Sequence, residues 1–114
     1  MIEAMSPASA VPESFPGSDL VRSGLEDLAA GRTSPEACLV LVGAPRLRRL
    51  GIPVPNPPFE GFPEDRLYDL LSEETPADAH SRYNALIRRL VSFERAAERA
   101  SSEAAEKPNP TPTS

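Results

Sequence analysis

Proline constrains this chain more than any other residue type. There are fourteen in 114 residues, and most stand between periodic segments rather than inside them. Proline lacks the N–H that a helix or sheet interior needs, yet suits the first helical position, where that N–H would have been unpaired. Four sites have this form: Ser34-Pro35-Glu36, Ala44-Pro45-Arg46, Phe62-Pro63-Glu64-Asp65 and Thr75-Pro76-Ala77-Asp78. At the last, Thr75 is placed to cap, and Asp78 three residues on makes a variant of the capping box. The prolines therefore predict four helix starts.

A further helix, 19–30, needs no proline. Ser18 precedes it as a cap, and Asp19 sits in the positive-dipole turn. Leu20, Val21, Leu25, Leu28 and Ala29 fall on one stripe at helical spacing, and Gly31 can terminate the helix in the left-handed region. The run Pro35 to about Val42 contains CLVLV, which suits a buried strand as well as a helix. No second strand pattern exists to pair with it, so a helix is predicted. RLRRL after Pro45 predicts a short helical turn ended by Gly51.

The crossover 52–62, IPVPNPPFEGF, must be extended, because each proline pushes its predecessor out of the helical region. Ile52, Val54, Phe59 and Phe62 make it too apolar to float free. The preferred reading is a strap across the bundle; the functional alternative is a polyproline ligand for a groove. Next come a helix from Pro63 to about Glu73, with Leu67, Leu70 and Leu71 inward and Tyr68 at the margin, and the longest helix, from Pro76 to about Ala100, fraying through SSEAAE.

The ends read differently. Residues 1–17 and 105–114 mix Pro, Ser, Ala, Thr and Glu without apolar period, a composition that buries too little surface to offset its ordering entropy. The expected organisation is a disordered tail 1–17, a helical domain 18–104 and a disordered tail 105–114. The fold class expected is all-α: a small bundle of four main helices plus a short helical turn. So small a core typically supplies only about 3–5 kcal/mol, which makes self-association or a partner a natural supplement.

Apolar runs are too short for a membrane span, the first residues lack a secretory pattern, and the single Cys38 lies in an apolar run. These features favour the cytoplasm. Net charge is −5, distributed in alternating blocks: −4 over 1–31, +3 over 32–59, −6 over 60–79 and +3 over 80–99. Alternating blocks suit helices that attract their neighbours, and suit a nucleic-acid binder less well.

The richest stretch is HSRYNALIRRLVSFERA, residues 80–96, with the lone histidine and four arginines. At 100° per residue, Ala79, Tyr83, Leu86, Ile87, Leu90, Val91, Phe93 and Ala97 share one broad arc. Arg88, Arg95 and Arg99 lie opposite; Arg82 and Arg89 line one flank, His80 and Asn84 the other. The pairs Asp78 with Arg82 and Arg99 with Glu103 have favourable i to i+4 spacing. A catalytic His80 would need an orienting partner and a nucleophile, and neither stands at a usable spacing. The arginine that helical ribonucleases of the HEPN class carry four to six residues before their histidine is replaced here by Pro76, Thr75 and Glu74. Metal ligand sets, calcium loops and glycine-rich phosphate loops are likewise missing from the sequence, so no cofactor is predicted.

The function expected is a non-catalytic helical interaction module: an adaptor, regulator or inhibitor whose partner is another protein or a second copy. The candidate surface is the long last helix, with Tyr83, Ile87, Arg88, Val91, Phe93, Arg95 and Arg99 as candidate contacts. The competing expectation is an antitoxin-like, nucleic-acid-associated regulator that pools Arg46, Arg48 and Arg49 with the Arg88–Arg99 stripe.

Overall fold

The computed structural model describes residues 11–106, with side chains described as far as residue 102. The chain is all-α. Its helices are α1 (Ser18–Ala29), α2 (Pro35–Val42), α3 (Ala44–Arg49), α4 (Pro63–Glu74) and α5 (Ala79–Glu106), with a 3-10 turn over Pro76–Asp78. No strand occurs among the described residues. Of the tails expected at 1–17 and 105–114, residues 1–10 and 107–114 lie outside the described residues, and residues 105 and 106 belong to α5.

Helix α2 is the centre of the bundle and packs on α1, α4, α5 and α3. Ala37 through Leu41 are all buried. A helix with neighbours on every side is apolar on every side, which is why its sequence showed no stripe and resembled a strand. Ser34 caps it, accepting a hydrogen bond from the Ala37 N–H at 3.0 Å, and Asp27 at the end of α1 accepts from the Ser34 hydroxyl at 2.5 Å. The Arg32 guanidinium also donates to Asp27 at 2.9 Å. Hydrogen bonding from Ser34 first, then from Arg32, holds the Asp27 carboxyl below its ordinary value despite partial burial. One carboxylate thus joins the end of one helix to the start of the next.

Helix α1 closes as expected at Gly31, with φ 75°. The Arg32 N–H reaches the Asp27 carbonyl at 2.8 Å and the Gly31 N–H the Leu28 carbonyl at 3.0 Å, the paired bonds of a Schellman ending. Its start differs from the expectation. The cap is Gly17, in the left-handed region, and the Ser18 hydroxyl instead donates to the Glu13 carbonyl at 2.9 Å. Gly17 is required sterically as well, since a Cβ there would stand 2.7 Å from the Arg89 carbonyl of α5.

The segment before α1 does not stand apart as a tail over residues 11–17. Val11 is buried, and the Phe15 ring packs on Phe93 with centroids 5.8 Å apart. At the other end, α5 continues to Glu106, past the limit of about Ala100. Its last turns contain only Ala, Ser and Glu, and the first helix breaker after them is Pro108.

The crossover lies across the bundle as a strap. Ile52 and Val54 are buried, the Ile52 N–H bonds the Leu47 carbonyl at 3.0 Å, and Arg48 donates to the Val54 carbonyl at 2.9 Å. Phe59 is half-buried against the core, with the Arg66 guanidinium 5.0 Å over its ring. Phe62 departs from the expected strap and is 72% exposed. Gly61, at φ 97°, turns the backbone just before it.

Thr75 also departs from its expected role as a cap. The Asp78 N–H bonds the Thr75 carbonyl at 3.0 Å, closing a 3-10 turn, and the Thr75 hydroxyl accepts from Arg82 at 3.1 Å. Arg82 pairs with Glu74 at 3.0 Å, not with Asp78, because the 3-10 turn removes Asp78 from the regular i to i+4 position.

Candidate functional site

Helix α5 has three differently used sides. Leu90, Phe93 and Ala79 point inward and are buried, with Leu86, Ile87, Tyr83 and Ala97 half-buried around them. The flanks are occupied by neighbours. Arg89 donates to Asp19 of α1 at 2.9 Å. Tyr83 meets Tyr68 of α4, ring centroids 5.7 Å apart; burial, then the nearby Glu64 and Asp65 carboxylates, push its phenol pKa upward. Glu94, 5% exposed, accepts from Arg46 at 3.1 Å, and Glu98 takes the same guanidinium at 2.9 Å.

The outward side is Ala85, Arg88, Ser92, Arg95 and Arg99, all exposed. Arg88 and Arg95 make no ion pair or hydrogen bond with a described residue. The expected Arg99–Glu103 pair lies outside the described side chains. Most other arginines are engaged within the fold: Arg22 with Glu13, Arg32 with Asp27, Arg46 with Glu94 and Glu98, Arg82 with Glu74 and Arg89 with Asp19. The arginines are therefore largely committed within the fold, whereas among the carboxylates of the 60–79 block only Glu74 makes an ion pair with a described residue; Arg49 and the outward stripe are the exposed arginines left over.

Two of the three arginines of the second cluster are engaged within the fold, and Arg49 is exposed. Arg46 is tied to two carboxylates of α5, which raise its pKa, the Glu94 hydrogen bond more than Glu98. Arg48 is tied to the strap. Glu94 and Glu98 thus stand as a negative strip on the flank where Arg46 meets α5.

Of the seven candidate contact residues, the structure brings Arg88, Arg95 and Arg99 together at the surface. It leaves Val91 half-exposed and Tyr83 and Ile87 half-buried against the bundle. Phe93 is corrected: at 0% exposure it belongs to the core and cannot meet a partner. Its position on the arc was right for burial, and Phe15, counted with the tail, covers it.

Beside the stripe lies a feature that the sequence does not announce. A surface hollow of about 320 Å³ is lined by Pro16, Gly17, Ala85, Arg88, Arg89 and Ser92. It exists because the chain entering α1 abuts α5 at the close Gly17–Arg89 approach, while the neighbouring α5 positions, Ala85 and Ser92, are small. Two of its lining residues, Arg88 and Arg89, are arginines, and Arg89 is paired with Asp19. The only signal was the Pro16-Gly17 pair, which the composition assigned to a tail.

His80 is exposed, with a ring nitrogen 3.2 Å from the Asn84 amide. Cys38 is fully buried, and burial pushes its thiol up to about 11. No group of three His, Cys, Asp or Glu side chains among the described residues is placed to hold a metal ion, and no described helix is long and apolar enough to cross a membrane. Comparison with protein-family models, with curated proteins and with solved structures finds no match to this chain.

Proposed function

We propose that this chain is a non-catalytic helical interaction module that binds an acidic protein surface through the outward side of α5. One observation carries the reading: Arg88 and Arg95 are exposed and unspent in a fold that pairs most of its other arginines internally. From Arg88 to Arg99 the stripe runs about 16 Å along the helix. Exposed ion pairs contribute only about 0–1 kcal/mol each, so three guanidinium groups give orientation and encounter rate more than affinity. Affinity requires apolar burial, and the hollow beside Arg88 offers it.

An acidic protein fits better than a nucleic acid. Within the second arginine cluster, Arg46 is committed to Glu94 and Glu98 and Arg48 to the Val54 carbonyl, which leaves only Arg49 of that cluster to add to a phosphate-binding face. A cytoplasmic setting accords with the lone buried thiol of Cys38.

The test is co-purification from the native cell, with and without nuclease, of the chain and of the triple variant Arg88→Glu, Arg95→Glu, Arg99→Glu. The reading expects a protein partner that survives nuclease and is lost in the variant while helicity by circular dichroism is unchanged. Capture that survives the triple charge reversal, or that disappears with nuclease, contradicts it.

A further inference from the structure

We propose that the hollow between the α1 entry and α5 receives the Phe62 segment of a second copy of this chain. This rests on the reading of the outward side of α5 as a binding surface and names the occupant of that surface.

The same molecule displays both halves of a complementary contact. One half is the hollow, lined by Pro16, Gly17, Ala85 and Ser92 together with Arg88 and Arg89, and followed along the helix by Arg95 and Arg99. The other is Phe62, 72% exposed; with Tyr68 at 39% it is what the described part of the chain leaves outside among its large hydrophobic side chains. Phe62 stands among carboxylates. Glu60, Asp65 and Asp69 line the notch beside it, and Glu64 is exposed two residues on. The single cation in that notch, Arg66, is turned onto the Phe59 ring. An apolar knob ringed by negative charge matches an apolar hollow with positive charge in its lining.

The knob is also held ready. Pro63 at the first position of α4 holds Phe62 in the extended region, which lowers the conformational freedom lost on docking. One wall of the hollow is the close backbone approach of Gly17 to the Arg89 carbonyl. Each copy carries both halves, so each can engage a neighbour through its knob and through its hollow. The contact is small, which places its dissociation constant in the range of about 10 μM to 1 mM.

Sedimentation velocity on the purified full chain tests this, using Phe62→Ala to remove the knob and Ala85→Trp to fill the hollow. Both positions are exposed, and circular dichroism confirms that each variant keeps its helicity. The wild type should gain mass with concentration over that range, and lose it as salt shortens the screening length from about 10 Å at 0.1 M to about 3 Å at 1 M. Each variant alone should stay monomeric. An equimolar mixture should form a pair and nothing larger, since Phe62→Ala supplies an intact hollow and Ala85→Trp an intact knob. A wild type that is monomeric throughout, or association indifferent to Phe62→Ala, overturns the inference. If self-association is missing but the arginine reversal still abolishes partner capture, the copy-to-copy contact fails and the wider reading of α5 stands.

Discussion

Gly24 lies in the middle of α1, where glycine is ordinarily a weakness that alanine repairs. Replacing it should gain about 1 kcal/mol from helix propensity and a more restricted unfolded chain. The structure predicts the opposite sign. A Cβ at Gly24 would run into the Glu36 carbonyl oxygen of α2 and stand 2.6 Å from a methyl group of Val40. Ordinary contact begins near 3.4 Å, so α1 and α2 must separate by most of an ångström. A gap of that size forfeits about a quarter to a half of each dispersion contact along the crossing. The buried face of α1, with Val21, Leu25 and Leu28, belongs to the packing that such a separation loosens. Overpacking of this kind costs about 1–3 kcal/mol; with backbone as the obstacle the upper figure applies, leaving a net loss of about 2 kcal/mol. With a urea slope of about 1 kcal/mol/M for so small a domain, the unfolding midpoint of Gly24→Ala should fall by about 2 M. An unchanged or raised midpoint would refute the close crossing of α1 on α2, and with it the central place given to α2.

Phe93→Ala removes a fully buried ring and its contact with Phe15, a loss of about 3–5 kcal/mol; far-UV circular dichroism should show a domain largely unfolded at 37 °C. Asp27 has a depressed pKa in the fold, so the unfolded chain binds the proton more readily and the stability Asp27 contributes is present above pH 3.8 and lost as pH falls below it. Urea midpoints taken between about pH 5 and pH 2 should therefore decline more steeply for the wild type than for Asp27→Asn. Cys38, pushed up to about 11 and fully buried, should resist a thiol reagent at neutral pH in the native chain and react promptly in denaturant; fast native labelling would mean that α2 opens far more often than its packing allows.

Helix positions were legible because proline acts locally. A ring at the first helical position removes an N–H that had no partner, whatever the rest of the chain does, so the starts at Pro35, Pro45 and Pro63 could be read without knowing the fold. Caps were less legible. Ser18 and Thr75 are good capping residues by type, but tertiary contacts assigned them other partners, the Glu13 carbonyl and Arg82. Contacts between distant residues were not legible at all. The Arg89–Asp19 and Arg46–Glu94 pairs join residues 70 and 48 positions apart, and charge blocks indicated attraction without choosing partners.

The candidate site divides the same way. Periodicity placed Arg88, Arg95 and Arg99 outward, since the face of a helix follows from spacing alone. It also placed Phe93 inward without showing whether a neighbour would cover it; that depended on Phe15 folding back from a segment whose composition resembles a tail. The hollow escaped notice because it comes from a backbone approach, Gly17 against Arg89, and such an approach leaves only a glycine in the sequence. Phe62 shows the converse. Hydropathy assigned it to the strap, whereas the turn at Gly61 carries it away from the core.

The most direct measurement is photo-crosslinking from the outward side of α5 in the native cell. A photoreactive residue at Ser92, on the rim of the hollow, should form one discrete protein adduct that is lost when Arg88 and Arg95 are reversed to glutamate. The same residue at exposed Thr33, in the α1–α2 connection, should form none. Adducts of equal yield from both positions, or none from Ser92, would contradict the assignment of α5 as the binding surface.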